Sequence, residues 1–337
     1  SLNFMANCVT ELFGLDFVVS YQQGFSFIRQ LAIHFRTALV KKTKQSYLTI
    51  YNWQYLNSLK VFVNILCRYP GQEDLSLLVY PVVQLIIGAI ELVPSPRFYP
   101  LRLHYVGMLI DLVRTIPNLF IPTSGYLFDV LEHCVITKPR KEESKKKKSQ
   151  TAPNMLLKLK LTKEEITSHL ALDSLFSTAI EGLVEHFYAC AYSPGFPELI
   201  VPACIRLKKL GTKCHLGIFK KRLYVMKDKL QEQAKFITAL RSSIGITPAK
   251  TSQINALSVH ISKKKGTVVP FEPYYQTIKA AQKEARAALM MGPSQAQRSQ
   301  DDDAFEEPPT RSTGKTNKSK NNQSNDKKSS KKSIKKH

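Results

Sequence analysis

The chain has 337 residues, 49 of them Lys or Arg against 26 Asp or Glu, for a formal net charge of +23. Hydrophobic residues make up 43%, enough to fill a core, so wholesale disorder is excluded. Gly is scarce at 14 and the six cysteines include no C-x-x-C pair, which argues against Gly-rich nucleotide loops, turn-dense all-β folds, a disulfide framework and a zinc finger.

The chain opens at Ser1 without an initiator Met and enters an apolar segment at once, so a natural N-terminal portion is expected to be missing. Phe25, Ile28, Leu31, Ala32, Phe35 and Leu39 recur at i, i+3, i+4 and i+7, which predicts a helix. A second helical stretch runs from about Thr43 to Cys67 and stops at Pro70-Gly71. A third runs from about Leu75 to Leu92, a fourth from Leu101 to Arg114 and a fifth from Ser124 to Cys134. Leu77 to Val93 is the most membrane-like run, but Pro81, Gln84 and Glu91 interrupt it, so a buried helix and no membrane partner are expected.

Further on, Met155 to Leu161 alternates Leu with Lys and reads as a short extended segment. Thr162 and Glu165 form a capping-box pattern. Helices follow at about 163–170, 173–191, 197–211 and 216–240. After Ile246 the composition turns polar; Ala280 to Met290 reads as one polar helix, and from Gly292 the chain reads as disordered.

Pro81 and Pro122 sit near the starts of apolar helical runs, 41 residues apart, and Pro202 has a similar setting. Helix pairs at that spacing are what HEAT and armadillo arrays show; the other reading is an irregular helical domain without repeats. The expected fold is therefore all-α, a HEAT/armadillo-like helical-repeat array with a disordered basic C-terminal tail. The expected divisions are a helical-repeat block at 1–136, a basic linker at 137–160, a second helical block at 161–245 and a mostly disordered Lys-rich tail at 246–337.

Charge follows these divisions. The first block has ten basic and eight acidic residues and the second block twelve and eight. The linker has nine and two, and the tail eighteen and eight. Cationic charge on flexible segments attracts polyanions by counterion release, which points to nucleic acid. Lys138, Arg140, Lys141 and Lys145, Lys146, Lys147, Lys148 resemble a nuclear-import signal, as does the Lys327–Lys336 run. An exposed loop has the same composition.

Within the blocks, Lys41, Lys42 and Lys44 precede Tyr47, Tyr51 and Trp53, a basic-aromatic pattern suited to phosphate contact and base stacking. Helical spacing assigns those aromatics to packing and leaves the lysines exposed. Lys208, Lys209, Lys213, Lys220, Lys221 and Arg222 form a second cluster near a helix–helix turn, either a phosphate contact or a solvated helix end.

Catalytic, cofactor and metal chemistry find little support. Gly314-Lys315-Thr316 resembles the end of a phosphate loop, but Pro309 occupies the position that needs Gly. His186, Cys190, Cys214 and His215 match no compact zinc spacing. No acid/base constellation stands out, so no enzyme, no cofactor and no small-molecule substrate are expected.

The string Lys41-Lys42-Thr43-Lys44-Gln45-Ser46-Tyr47, followed by Ile50-Tyr51-Asn52-Trp53-Gln54-Tyr55, resembles the nucleolar complex protein 2 family. Leu2-Asn3-Phe4-Met5, Tyr80 to Gly88, Pro96 to Arg102, Asn118 to Pro122 and Ser193 to Leu199 fit the same pattern in order, over about residues 2–245. The sequence departs from that pattern in its Lys-rich linker around Lys138–Gln150, in the continuation after Pro273-Tyr274-Tyr275, and in lacking the family's charged N-terminal region. The resemblance implies a helical-repeat fold without known catalytic activity and a place in the nucleus and nucleolus in ribosome biogenesis. It implies pairing with sister nucleolar complex proteins on large-subunit precursors, pre-ribosomal particles and their rRNA. The alternative implied is a chromatin-associated corepressor with chromatin or histones as partners.

Overall fold

The computed structural model describes residues 2–137, 153–244 and 269–291. The nuclear-import run at 138–148, the phosphate-loop-like triplet at 314–316, the Lys327–Lys336 run and the tail from 292 lie outside the described residues.

The protein is all-α, and no strand occurs among the described residues. In chain order the helices are α1 Leu2–Leu12, α2 Phe17–Lys41, α3 Lys44–Leu48, α4 Trp53–Arg68, α5 Glu73–Ser76 and α6 Val79–Glu91. Then come α7 Tyr99–Thr115, α8 Ser124–Ile136, α9 His169–Ala189, α10 Phe196–Lys213, α11 Gly217–Ile244 and α12 Glu272–Met291. Short 3-10 turns occupy Pro96–Phe98, Met155–Leu157 and Glu165–Thr167.

Local chemistry sets the ends. The Asp16 carboxylate accepts from the amides of Val18 and Val19 at 3.0 and 3.1 Å and starts α2. Lys42, in the left-handed region at φ 49°, ends it by donating its N–H to the Ala38 carbonyl. Thr43 and Ser46 then cap each other reciprocally and open α3. The stretch expected to run unbroken from Thr43 to Cys67 is two helices. Asn52 Oδ1 accepts from Tyr55 N–H at 2.7 Å, a competing local bond that breaks the chain there and starts α4. The stretch from Leu75 to Leu92 is likewise divided into α5 and α6. Pro81 is harmless as the third residue of α6, where its missing N–H has no intrahelical acceptor.

Tyr51, buried in the α3–α4 break, does more than pack. Its hydroxyl donates to the Ala89 carbonyl at 3.0 Å and accepts from Val93 N–H at 2.9 Å. Those two backbone groups are four residues apart, so the phenol stands where the next bond of α6 would form.

The Thr162–Glu165 capping pattern is present: Glu165 N–H donates to Thr162 Oγ1 at 3.3 Å and Thr162 N–H to Glu165 Oε2 at 3.0 Å. It heads the 3-10 turn at Glu165–Thr167 rather than a helix over 163–170, and α9 begins at His169. The stretch Met155 to Leu161, expected to be extended, opens instead as the 3-10 turn Met155–Leu157; Lys158 is extended, and the segment after it is tied to the start of α7. Leu101 N–H donates to the Leu159 carbonyl at 3.3 Å, and Leu161 N–H to the Arg97 carbonyl at 2.7 Å.

Packing joins near neighbours in sequence. α1 packs on α4, α2 on α5 and α6, α4 on α6 and α7, α7 on α8 and α9, α8 on α9 and α10, and α10 on α11. Glycines permit close approaches along α2: a Cβ on Gly24 would meet Leu78 at 3.0 Å, and one on Gly88 would meet the Phe35 ring at 2.6 Å. α7 is buried on most sides, with Tyr105, Leu109, Ile110 and Leu112 at most 1% exposed. Glu73–Glu91 is long and apolar enough to cross a membrane, yet Val82, Val83, Leu85, Ile86, Ala89 and Ile90 of α6 are buried in this core. Each such Val, Leu or Ile side chain contributes about 1.5–3 kcal/mol.

Residues 269–291, which the sequence places in the tail, pack on α9. Val269, Phe271 and Tyr275 are buried, and the Tyr275 ring stacks on Tyr188 with centroids 3.8 Å apart. The helix starts eight residues before the polar run at Ala280, at Glu272.

Candidate nucleic-acid and partner interface

The first basic cluster sits where α2 ends and α3 begins. Lys41, Lys42 and Lys44 are all exposed. Lys42 holds its left-handed conformation because the Thr43–Ser46 capping box forces the chain to turn at once. Tyr47 and Tyr51 are buried, in line with the packing role expected of them. Trp53 differs: it is 42% exposed and meets His104 edge-on with centroids 5.4 Å apart. As the first residue of α4 it has core contact on one side only.

The second cluster lies on the α10–α11 hairpin. Lys208 and Lys209 are in the last two turns of α10, Lys220 and Lys221 in the first turns of α11, and all four are exposed. Lys213 Nζ lies 4.0 Å from Glu132. Arg222 is turned inward: its guanidinium donates to Ser177 Oγ at 2.8 Å and lies over the Phe176 ring at 6.0 Å. It therefore braces α11 on α9. α2 packs on α3, α5 and α6, whereas α10 and α11 pack on each other and α10 on α8. The two clusters thus belong to separate packing neighbourhoods.

Asp129 of α8 joins two cations that sequence spacing did not connect. Its Oδ2 is 3.4 Å from Arg102 of α7, and its Oδ1 is 3.4 Å from Arg206 of α10. Arg102 lies over Tyr99 and Arg206 over Phe128. Charge thereby ties three helices together at one carboxylate. A pairing across 27 and 77 residues carries no local signal.

The thiols and imidazoles considered for metal do not converge. His186 is buried with Nδ1 2.9 Å from Thr123 Oγ1, and burial lowers its pKa to about 4. Burial pushes the Cys190 thiol up to about 11, which suppresses thiolate formation. Cys214 Sγ donates to the Leu216 carbonyl at 3.4 Å, and His215 is exposed. Among the described residues no group of three or more His, Cys, Asp or Glu is placed to share an ion.

A cleft of about 410 Å³ is lined by Phe120, Cys190, Ser193, Gly195, Glu198 and Leu199. Its carboxylate, Glu198, is held ionised by Arg241 at 2.6 Å, which places its pKa below the usual carboxylate range. Protonated at Cys190, the cleft's thiol is held in its less nucleophilic form.

The Noc2p family's sequence profile matches residues 1–278, from the first helix into α12. Nucleolar complex protein 2 of Drosophila melanogaster is 31% identical over 275 residues, covering 81% of this chain and 35% of the relative. Nucleolar complex-associated protein 2 of Arabidopsis thaliana is 30% identical over 289 residues, covering 86% and 37%. An uncharacterised NOC2 family protein of Schizosaccharomyces pombe is 28% identical over 296 residues, covering 86% and 40%. The chain therefore spans well under half the length of these relatives. On the extent of the profile match, the chain belongs to the Noc2p family.

Proposed function

We propose that this chain is the helical part of a non-enzymatic nucleolar scaffold in ribosome biogenesis. On this reading it pairs with sister nucleolar complex proteins on precursors of the large ribosomal subunit. The observation that carries the reading is family membership, with relatives named as nucleolar complex proteins. The fold supports it: helices that pack on near neighbours in sequence suit a HEAT-like repeat array, in which each pair buries its stripe against the next. The basic clusters support it too, because exposed lysines on a rigid hairpin position phosphate without reading sequence. The linker at 137–160 and tail at 246–337 carry most of the net charge, and they serve long-range capture while the helical blocks supply partner specificity.

RNA crosslinking and sedimentation from nuclear extract test the proposal. Recovery of precursor rRNA, together with sedimentation alongside immature large subunits, is the expected result. Enrichment on promoters without rRNA would replace it with the chromatin reading.

A further inference from the structure

α2 has two faces, and the core uses only one. Gly24, Ile28 and Ala38 are buried, with Gly24 against Leu78 of the α5–α6 junction. On the other side Val18, Gln22, Phe25, Arg29, Ile33, Arg36 and Val40 follow one another three or four residues apart, and all seven are exposed. Val18, Phe25, Ile33 and Val40 are 56%, 49%, 48% and 74% exposed. The stripe is about 33 Å long at about 1.5 Å per residue. Its spacing is that of a helix–helix seam, with cations between apolar knobs.

We propose that this stripe of α2 is a docking surface for an amphipathic helix of a partner protein, one whose facing residues alternate apolar side chains with Asp or Glu. Charge complementarity selects that occupant. α2 contains no Asp or Glu, and the carboxylate of Asp16 is engaged by the amides of Val18 and Val19. Arg29 and Arg36 are paired with no carboxylate of the described residues. Lys41, Lys42 and Lys44 extend the positive edge beyond Val40. A second copy of the chain is disfavoured, because antiparallel self-pairing about the centre of the stripe sets Arg29 against Arg29. RNA would leave Phe25, Ile33 and Val40 facing phosphates, and a lipid surface would draw Arg29 and Arg36 into the acyl region between them.

The proposal rests on the scaffold reading, and its test is separable from that reading. The probe is a fluorescent synthetic helix carrying Leu and Glu alternately at the complementary 4-3-4-4-3-4 spacing. Its controls are the same peptide with Lys for Glu, and one with the spacing shuffled. The full chain should bind the acidic probe at least about tenfold more tightly than either control. The double variant R29E/R36E, checked for unchanged circular dichroism and melting, should prefer the Lys peptide instead. Equal binding of the shuffled peptide, or a preference unmoved by charge reversal, overturns the proposal. So does loss of binding to an RNA oligonucleotide or to phosphatidylserine vesicles in R29E/R36E with probe binding unchanged. Failure of the scaffold reading would instead appear as absence of wild-type chain from immature subunits while probe binding persists.

Discussion

Gln233 holds Phe271 in place through a bond to its backbone: the Gln233 Oε1 accepts from Phe271 N–H at 3.3 Å, both residues being 0% exposed. The same amide donates through Nε2 to the Ala191 carbonyl at 2.8 Å. One side chain on α11 thus clamps the end of α9 and the start of the α12 segment, and uses a donor and an acceptor at once.

Gln233→Leu keeps the volume and removes both bonds, leaving the Phe271 amide buried without an acceptor. A loss of about 2–3 kcal/mol is expected. Chemical denaturation checks the size, and faster amide exchange across α12 checks the location. An unchanged midpoint would show that the clamp is redundant with the Tyr188–Tyr275 stack.

The buried Thr123–His186 pair predicts acid sensitivity. Burial lowers the His186 pKa from 6.5 to about 4, and burial also lowers those of His104 and His133. The folded state therefore takes up these protons less readily than the unfolded chain. Stability is complete above about pH 6.5 and declines as pH falls toward about 4, with His186 accounting for at most about 3 kcal/mol. Melting temperatures across that window should fall for the wild type and fall less for His186→Gln. Parallel curves for both would remove His186 as the cause.

Gly88 tests the α2–α6 contact by a change of sign. In Gly88→Ala the new methyl would lie 2.6 Å from the Phe35 ring, so repacking outweighs the better helix propensity by about 1–2 kcal/mol. With Phe35→Ala already in place, Gly88→Ala should become stabilising. A double-mutant cycle without that reversal would show that the ring moves aside freely.

Replacing Lys208, Lys209, Lys220 and Lys221 with Gln should weaken RNA binding uniformly across sequences. The salt slope should fall by up to about 3, at about 0.7 for each single-strand phosphate that is no longer neutralised. Replacing the lysines of 145–148 and 327–336 should flatten the slope while partner pairing stays intact. Titrations at several salt concentrations decide it; an unmoved slope would take those lysines out of the interface.

The helices were legible because an apolar period near 3.6 survives in nearly every segment. Their interruptions were less so: Asn52 splits a stretch of continuous apolar period, because one side-chain bond to Tyr55 overrides propensity. The start of α12 is hidden because Val269, Phe271 and Tyr275 stand in a short run interrupted by Pro270 and Pro273, too brief to show a helical period, and their burial depends on α9 and α11. Periodicity also counts apolar residues without saying which face meets a neighbour. Phe25 and Leu39 belong to the expected core pattern of α2, yet both are exposed. The basic clusters were plain in composition. The inward turn of Arg222 and the Arg102–Asp129–Arg206 bridge were not, since both depend on which helices become adjacent.

The phenol of Tyr51 has a wider effect than its two bonds. By lodging between Ala89 and Val93 it makes the exit direction of one helix depend on a residue 38 positions upstream. Lengthening the Thr49–Asn52 connection by a single residue would withdraw that hydroxyl and let α6 wind onward into the approach to α7. Surface loops in general tolerate insertion; this one acts as a ruler.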